Sequence, residues 1–271
     1  MARLGFVTYA VTLVLSCGIF TAVPANAGKV GLAWSTNNPQ YSTVSKFITP
    51  ELSFYYNWDY HLASGQTTGG LSYAPMLWGN KDLAAFKSTV VSGFARYALG
   101  FNEPDLAGQA NLSPGDAANL WKQYLEPLRS QGYRLISPAT TTGTGWLTNF
   151  NTACAGGCNY DAIAVHAYAA DTTTFEGIVS AYRTFGKNVW VTEFACQDYS
   201  GAGKVCTQAE TSSFMAATTS WMQEQSWITA YFWFAPMTPT QLSAIGVNPT
   251  NALVADGGVS LTALGQQYIK T

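Results

Sequence analysis

Eight short apolar runs recur along this chain, at Lys29–Trp34, Leu52–Trp58, Ser72–Trp78, Arg96–Asn102, Arg134–Pro138, Ala162–Tyr168, Asn188–Glu193 and Ile228–Ala235. The gaps between most of them have room for a helix, and no long antiparallel hairpin signal joins any two. Several gaps carry helical periodicity. Asp82–Ser92 places Leu83, Phe86, Val90 and Val91 at helical spacing, and Ser113-Pro114-Gly115-Asp116 opens a segment that carries Leu120, Trp121, Tyr124, Leu125 and Leu128. Thr174–Tyr182, Gln208–Glu224 and Ser260–Ile269 fit helices as well. Eight strands alternating with helices in 271 residues close most simply into a single-domain α/β fold, the (β/α)8 TIM barrel. A doubly wound open sheet is the alternative, but no G-x-G-x-x-G turn follows the first run.

Residues 1–27 read as a secretory signal peptide. Arg3 supplies the positive start, an apolar stretch runs from about Leu4 to Val23, and Ala25-Asn26-Ala27 fits cleavage before Gly28. The expected product is an exported, soluble barrel over residues 28–271, extracellular or cell-wall associated and monomeric. The formal charge of −2 argues against nucleic acid or an anionic membrane as partner. Aromatic residues (14%) outnumber charged ones (10%), a bias that suits contact with neutral polar polymers. Cys17 leaves with the leader, so four cysteines remain in an oxidising compartment. Four allow three pairings. Their short spacings favour Cys154 with Cys158 and Cys196 with Cys206, both expected to brace loops of the catalytic face. A zinc site is the rival, weakened by irregular spacing and by the distance of either histidine in sequence.

Two glutamates end apolar runs, Glu103 in Gly100-Phe101-Asn102-Glu103-Pro104-Asp105 and Glu193 in Trp190-Val191-Thr192-Glu193-Phe194-Ala195-Cys196. A carboxyl at the end of a buried strand is hard to explain by packing, because an unpaired buried charge costs several kcal/mol. Barrels place their active sites at the C-terminal strand ends, and both glutamates fall there, on the fourth and seventh runs. Cleavage of a glycosidic bond uses two facing carboxyl groups. Trp34, Trp58, Trp78 and Trp233 also stand at or near strand ends, with Trp146 in the loop after the fifth run. Flat rings there would cover the apolar faces of sugars. His166 and Tyr168 lie two apart on the sixth strand and share a face, from which they would orient or tune Glu193.

The Asn-Glu-Pro and Thr-Glu-Phe strings resemble the acid/base and nucleophile motifs of the retaining barrel glycosidases. In full they are similar to family 128 glycoside hydrolases, endo-β-1,3-glucanases. The resemblance extends to the Gly-Leu-Ala-Trp first strand and the Tyr-Phe-Trp-Phe last strand. It implies Glu103 as general acid/base, Glu193 as nucleophile, net retention, a β-1,3-glucan substrate and no metal or organic cofactor. It further implies that Asn102 bonds the sugar 2-hydroxyl. The rivals are a barrel glycosidase acting on another β-glycan and a β-glucan-binding protein without turnover.

Other residues have plainer expectations. Pro104 is expected to hold Glu103 extended, Asp105 to cap a helix in preference to touching a sugar, and Trp190 to pack beneath a helix. Glu51, Asp82, Glu126, Glu210 and Glu224 read as solvated surface, and Asn111-Leu112-Ser113 is a glycosylation sequon weakened by the Pro that follows.

Overall fold

All eight strands of the computed structural model pair in parallel, in the order β3-β2-β1-β8-β7-β6-β5-β4. The structure describes residues 28–36, 38–201 and 203–271, so the leader expected over residues 1–27 lies outside the described residues. The strands are β1 (Val30–Ala33), β2 (Leu52–Tyr56), β3 (Ser72–Tyr73), β4 (Tyr97–Leu99), β5 (Arg134–Ile136), β6 (Ala162–Ala169), β7 (Asn188–Cys196) and β8 (Ile228–Trp233). Main-chain bonds beyond the formal ends of β3 and β4 close the ring: Leu99 N–H donates to Pro75 O, Leu77 N–H to Leu99 O and Asn102 N–H to Trp78 O. Closure leaves no unpaired sheet edge, and the sheet is a (β/α)8 barrel.

The helices are α1 (Leu83–Thr89), α2 (Pro114–Leu120), α3 (Gly145–Cys154), α4 (Thr172–Ala181), α5 (Gln208–Glu224), α6 (Pro239–Ala244) and α7 (Ala263–Tyr268). Their starts follow the local chemistry. Thr207 opens α5 with a reciprocal cap, its hydroxyl accepting from Glu210 N–H while Glu210 accepts from Thr207 N–H. Ser113 caps α2 ahead of Pro114, and Asp171 caps α4. Between β1 and β2 the crossover is only a 3-10 turn, Tyr41–Lys46, and among the described residues no helix links β2 to β3.

Two apolar layers result. Outward strand residues meet the helices, and inward ones fill the barrel with Phe54, Tyr56, Met76, Leu99, Trp190 and Phe232 among them. Phe54 and Tyr97 pack on the Trp190 ring at 4.8 and 5.0 Å. The filling is tight enough to require Gly31, where an added Cβ would lie 2.0 Å from a Phe232 ring carbon.

This layering corrects several expectations. Trp34 follows outward Leu32 by two residues and Trp233 follows outward Tyr231 by two, so period-2 alternation turns both indoles to the helices. Their N–H groups donate to Asn38 O and Asn251 O, and neither ring is more than 1% exposed. Trp146 sits in the first turn of α3, stacked on Phe150 and donating to Leu112 O, away from the barrel mouth. Trp190 lies inside the barrel rather than beneath a helix.

Among the described residues, Cys154 is bridged to Cys158 and Cys196 to Cys206. The second closes the loop after β7, on the face of the C-terminal strand ends. The first joins the end of α3 to the approach to β6 and so lies at the opposite end of the barrel from the one expected.

Trp233→Ala would remove a fully buried indole and strand Asn251 O. It is expected to lower stability by about 3–5 kcal/mol in denaturant titrations. KM of the remaining folded fraction for any substrate should stay within twofold, because the ring is not in the cleft.

Candidate active site

Glu103 and Glu193 converge because each strand end departs from regular geometry. On β7 the pairing with β6 runs Ala164↔Trp190, Val165↔Val191 and then His166↔Glu193, so Thr192 is an extra residue. The bulge resets the alternation, and Trp190 and Glu193 both face the barrel axis. Tyr56, reaching across from β2, donates its hydroxyl to Thr192 O at 2.7 Å and holds the bulge.

After β4, Asn102 bridges to Ala139 and Glu103 N–H donates to Ala139 O. Glu103 then turns into the left-handed region at φ 44°, contrary to the extended backbone expected before Pro104. That conformation costs a non-glycine residue about 1–2 kcal/mol. It is held by the Ala139 bond on one side and by Leu106 N–H donating to Glu103 O on the other.

His166 stands between the two carboxyl groups. Its Nδ1 shares a 2.7 Å hydrogen bond with Glu103 Oε1, and its Nε2 lies 3.4 Å from Glu193 Oε1. Tyr168 donates to Glu193 Oε2 at 2.5 Å and the Trp58 indole N–H to Glu193 Oε1 at 2.7 Å. Facing atoms of Glu103, His166 and Glu193 all lie within 4.8 Å of one another. These three are also the group of described residues whose spacing would suit a metal ion, but both Glu193 oxygens already accept hydrogen bonds from Trp58 and Tyr168.

Glu103, Glu193 and His166 are 7%, 5% and 4% exposed, so the local dielectric is low and the charges govern one another. Burial works against the His166 cation, but the charge of Glu193 and the bond and charge of Glu103 outweigh it, and the imidazole titrates above its usual 6.5. Burial pushes the Glu193 carboxyl up; His166 opposes this, Glu103 adds to it, and the Tyr168 and Trp58 donors oppose it. Burial and the Glu193 charge also raise the Tyr168 phenol far above its ordinary value, so it remains a donor at neutral pH.

The trio opens into a cleft of about 1180 Å³ at the C-terminal strand ends. Trp58, Trp78, Asn102, His166 and Tyr168 line it, whereas Trp34, Trp146 and Trp233 do not. Phe234, just past the end of β8, supplies the ring that faces the cleft there. Asn102 Oδ1 is buried without a partner, while its Nδ2 donates to Gln109 Oε1 at 3.3 Å.

Sequence reasoning missed several residues that line the cleft, among them Asn57, Gln109 and Tyr199, all of which stand outside the regular strands. Asp105 neither caps a helix nor faces the cleft. Its carboxylate accepts from the N–H and hydroxyl groups of Thr141 and Thr142, tying the loop after β4 to the loop after β5. Glu126 is likewise a brace, accepting from Trp121 Nε1 and from Asn159 N–H and Nδ2.

His166 binds its proton more tightly in the fold than in the unfolded chain. Its stabilising contribution is therefore complete below about pH 6.5 and is lost as pH rises through the elevated folded pKa. NMR titration of the imidazole should place that pKa above 6.5, and Glu193→Gln should lower it, because the Glu193 charge is the largest influence raising it.

The profile of the glycosyl hydrolase catalytic core family matches residues 31–268. Alkali-sensitive linkage protein 1 of Schizosaccharomyces pombe (strain 972 / ATCC 24843) is 34% identical over 250 residues, which is 90% of this chain and 44% of that protein. The chain thus spans less than half the length of this curated relative. Among solved structures, a family 128 subgroup V exo-β-1,3-glucanase from Cryptococcus neoformans superposes with a TM-score of 0.77 at 29% identity, over 89% of this chain and 98% of that one. A subgroup VII oligosaccharide-binding protein from the same organism gives 0.75 at 27% identity, over 90% and 93%. A mutant of a subgroup I endo-β-1,3-glucanase from Amycolatopsis mediterranei, solved with laminarihexaose, gives 0.68 at 27% identity, over 90% and 98%. Matched over nearly all its described length, the chain belongs to the glycosyl hydrolase catalytic core family and, within it, to family 128 of the glycoside hydrolases.

Proposed function

We propose that the chain is a secreted endo-β-1,3-glucanase that hydrolyses internal bonds with retention, Glu193 acting as nucleophile and Glu103 as acid/base. The observation that carries this is the approach of the two carboxyl groups to within 4.8 Å, atom to atom. Retaining pairs stand about 5–5.5 Å apart, whereas inverting pairs need roughly 6.5–9.5 Å to admit a water.

The division of roles follows from the hydrogen bonds. Glu193 accepts on both oxygens, an arrangement that suits an ionised carboxylate. Glu103 bonds His166 through Oε1, which leaves its other oxygen to carry the proton for the leaving group. In the first step Glu193 attacks the anomeric carbon while Glu103 protonates the departing glycosidic oxygen. In the second, Glu103 takes a proton from water, the hydroxide so formed attacks the same carbon, and Glu193 leaves as carboxylate. The unpartnered Asn102 Oδ1 suits a sugar hydroxyl, a bond that strengthens as positive charge grows at the ring.

Linkage and mode rest on the comparisons and on cleft size. The cleft exceeds the roughly 300–1,000 Å³ that holds a drug-sized ligand, so several sugar units fit. It crosses the barrel mouth from Trp78 and Leu106 to Met237 and Ile245, which supports attack within a chain over attack at its end. A binding role like that of the subgroup VII protein is the second reading. Two facing carboxyl groups, each with dedicated partners, count against it, since holding a neutral sugar needs no such pair.

On a linear β-1,3-oligosaccharide, products should range over several sizes and emerge first as the β-anomer by NMR; glucose alone would mean exo attack, and binding without products would mean the second reading. With azide and an activated aryl substrate, Glu103→Ala should yield the β-glycosyl azide and Glu193→Ala the α-azide. Reversed anomers would exchange the roles.

A further inference from the structure

Trp58 differs from the other tryptophans at the strand ends in that its polar edge, and not only its ring, points at the reacting pair. Its N–H lies 2.7 Å from Glu193 Oε1. To reach there the residue adopts a left-handed backbone at φ 57°, which a bulky side chain rarely does without external support. Asn57 provides the support. This side chain is 1% exposed and uses both ends: Oδ1 accepts from Asp59 N–H and the Tyr73 hydroxyl, and Nδ2 donates to His61 O and Gln66 Oε1. The turn is thereby clamped on both sides of Trp58. The indole is also wedged between Tyr56 at 4.7 Å and Phe234 at 5.7 Å, edge or tilted contacts that fix its plane.

Resting on the retaining reading above, we infer that Trp58 is a positioning residue for the nucleophile, whose indole N–H assists the departure of Glu193 from the glycosyl-enzyme. In the first step Glu193 gives up negative charge to the new C–O bond, so a donor on Oε1 weakens and helps little. In the second step the ester C–O bond breaks, the electron pair returns to the carboxylate, and the donor strengthens as charge develops. The proton on the indole nitrogen stays where it is throughout. Among the described residues, the donors to Glu193 are two neutral groups, Trp58 and Tyr168, beside the His166 imidazole.

The test replaces the donor and keeps the shape. Trp58→3-benzothienylalanine puts sulfur where the N–H was, and Trp58→Phe serves as a second variant with a smaller ring. On an activated aryl β-1,3-oligoglucoside, for which the second step limits turnover, kcat should fall about tenfold or more in both variants. KM should fall with it, leaving kcat/KM near the wild-type value, and intact-protein mass spectrometry should show glycosyl-enzyme accumulating. A ring that only stacked on sugar would instead raise KM and leave the benzothienyl variant normal.

A second measurement does not depend on substrate. ¹³C NMR of labelled glutamate carboxyls should show Glu193 titrating at higher pH once the N–H is gone, since that donor holds its pKa down. The other titratable groups around it, Glu103, His166, Tyr56, Tyr168 and Tyr199, are the same in both proteins. If the wild type turns over and the benzothienyl variant keeps kcat within twofold, the inference is overturned whatever the titration shows. If the wild type cleaves no β-glucan, the retaining reading falls, and the Glu193 titration alone decides whether Trp58 holds the carboxylate: an upward shift supports it, no shift overturns it.

Discussion

The arrangement at the barrel mouth depends on one extra residue in β7. Side chains alternate with period two along a strand, so with regular pairing Trp190 and Glu193 would face opposite sides. The bulge at Thr192 lets one strand deliver a ring to the packed interior and, three residues on, a carboxylate to the mouth. Tyr56 O–H bonding Thr192 O ties that irregularity to β2, across the barrel, so the nucleophile is fixed by the filled interior and not by β7 alone. The aromatic plug of Phe54, Tyr97, Trp190 and Phe232 is thus both core and foundation.

Above this plug the chemistry is electrostatic. Two carboxyl groups under 10% exposed would repel strongly and lose solvation, and the fold answers with one imidazole between them and neutral donors on Glu193. A buried cation matched to each anion would relieve the strain more fully but would hold both groups ionised. One shared histidine leaves the pair able to differ in protonation, which is the condition for one group to act as acid and the other as nucleophile. The left-handed backbones at Glu103 and Trp58 belong to the same economy: each is locally unfavourable, and each is held by bonds from neighbouring segments.

The surrounding loops are stiffened by polar clasps. Asp105 gathers the β5 loop, Asn57 the β2 loop, and Cys196–Cys206 the β7 loop, with Asn251 bonding both the N–H and the C=O of Cys196. Loops held in this way can line a binding cleft without each contact first having to order a mobile segment. The Cys154–Cys158 bridge serves the other end of the barrel, where α3 turns toward β6.

Much of this was legible in the sequence because it follows from local rules. Eight apolar runs with helical spacers specify a parallel closed barrel, and Gln208–Glu224 matches α5 residue for residue because its caps are local chemistry. Glu103 and Glu193 stood out because charge at the end of an apolar strand has no packing explanation. Tertiary structure decided which way side chains point. Trp34 and Trp233 sit at strand ends like Trp58, yet two-residue alternation counted from Leu32 and Tyr231 turns them outward, and only the closed barrel shows which parity faces in. The bulge at Thr192, the left-handed turn at Glu103 and the clasp at Asp105 were beyond the sequence for the same reason. Each is a response to a partner on another strand or loop, and such a partner leaves no mark within a few residues of the site it shapes.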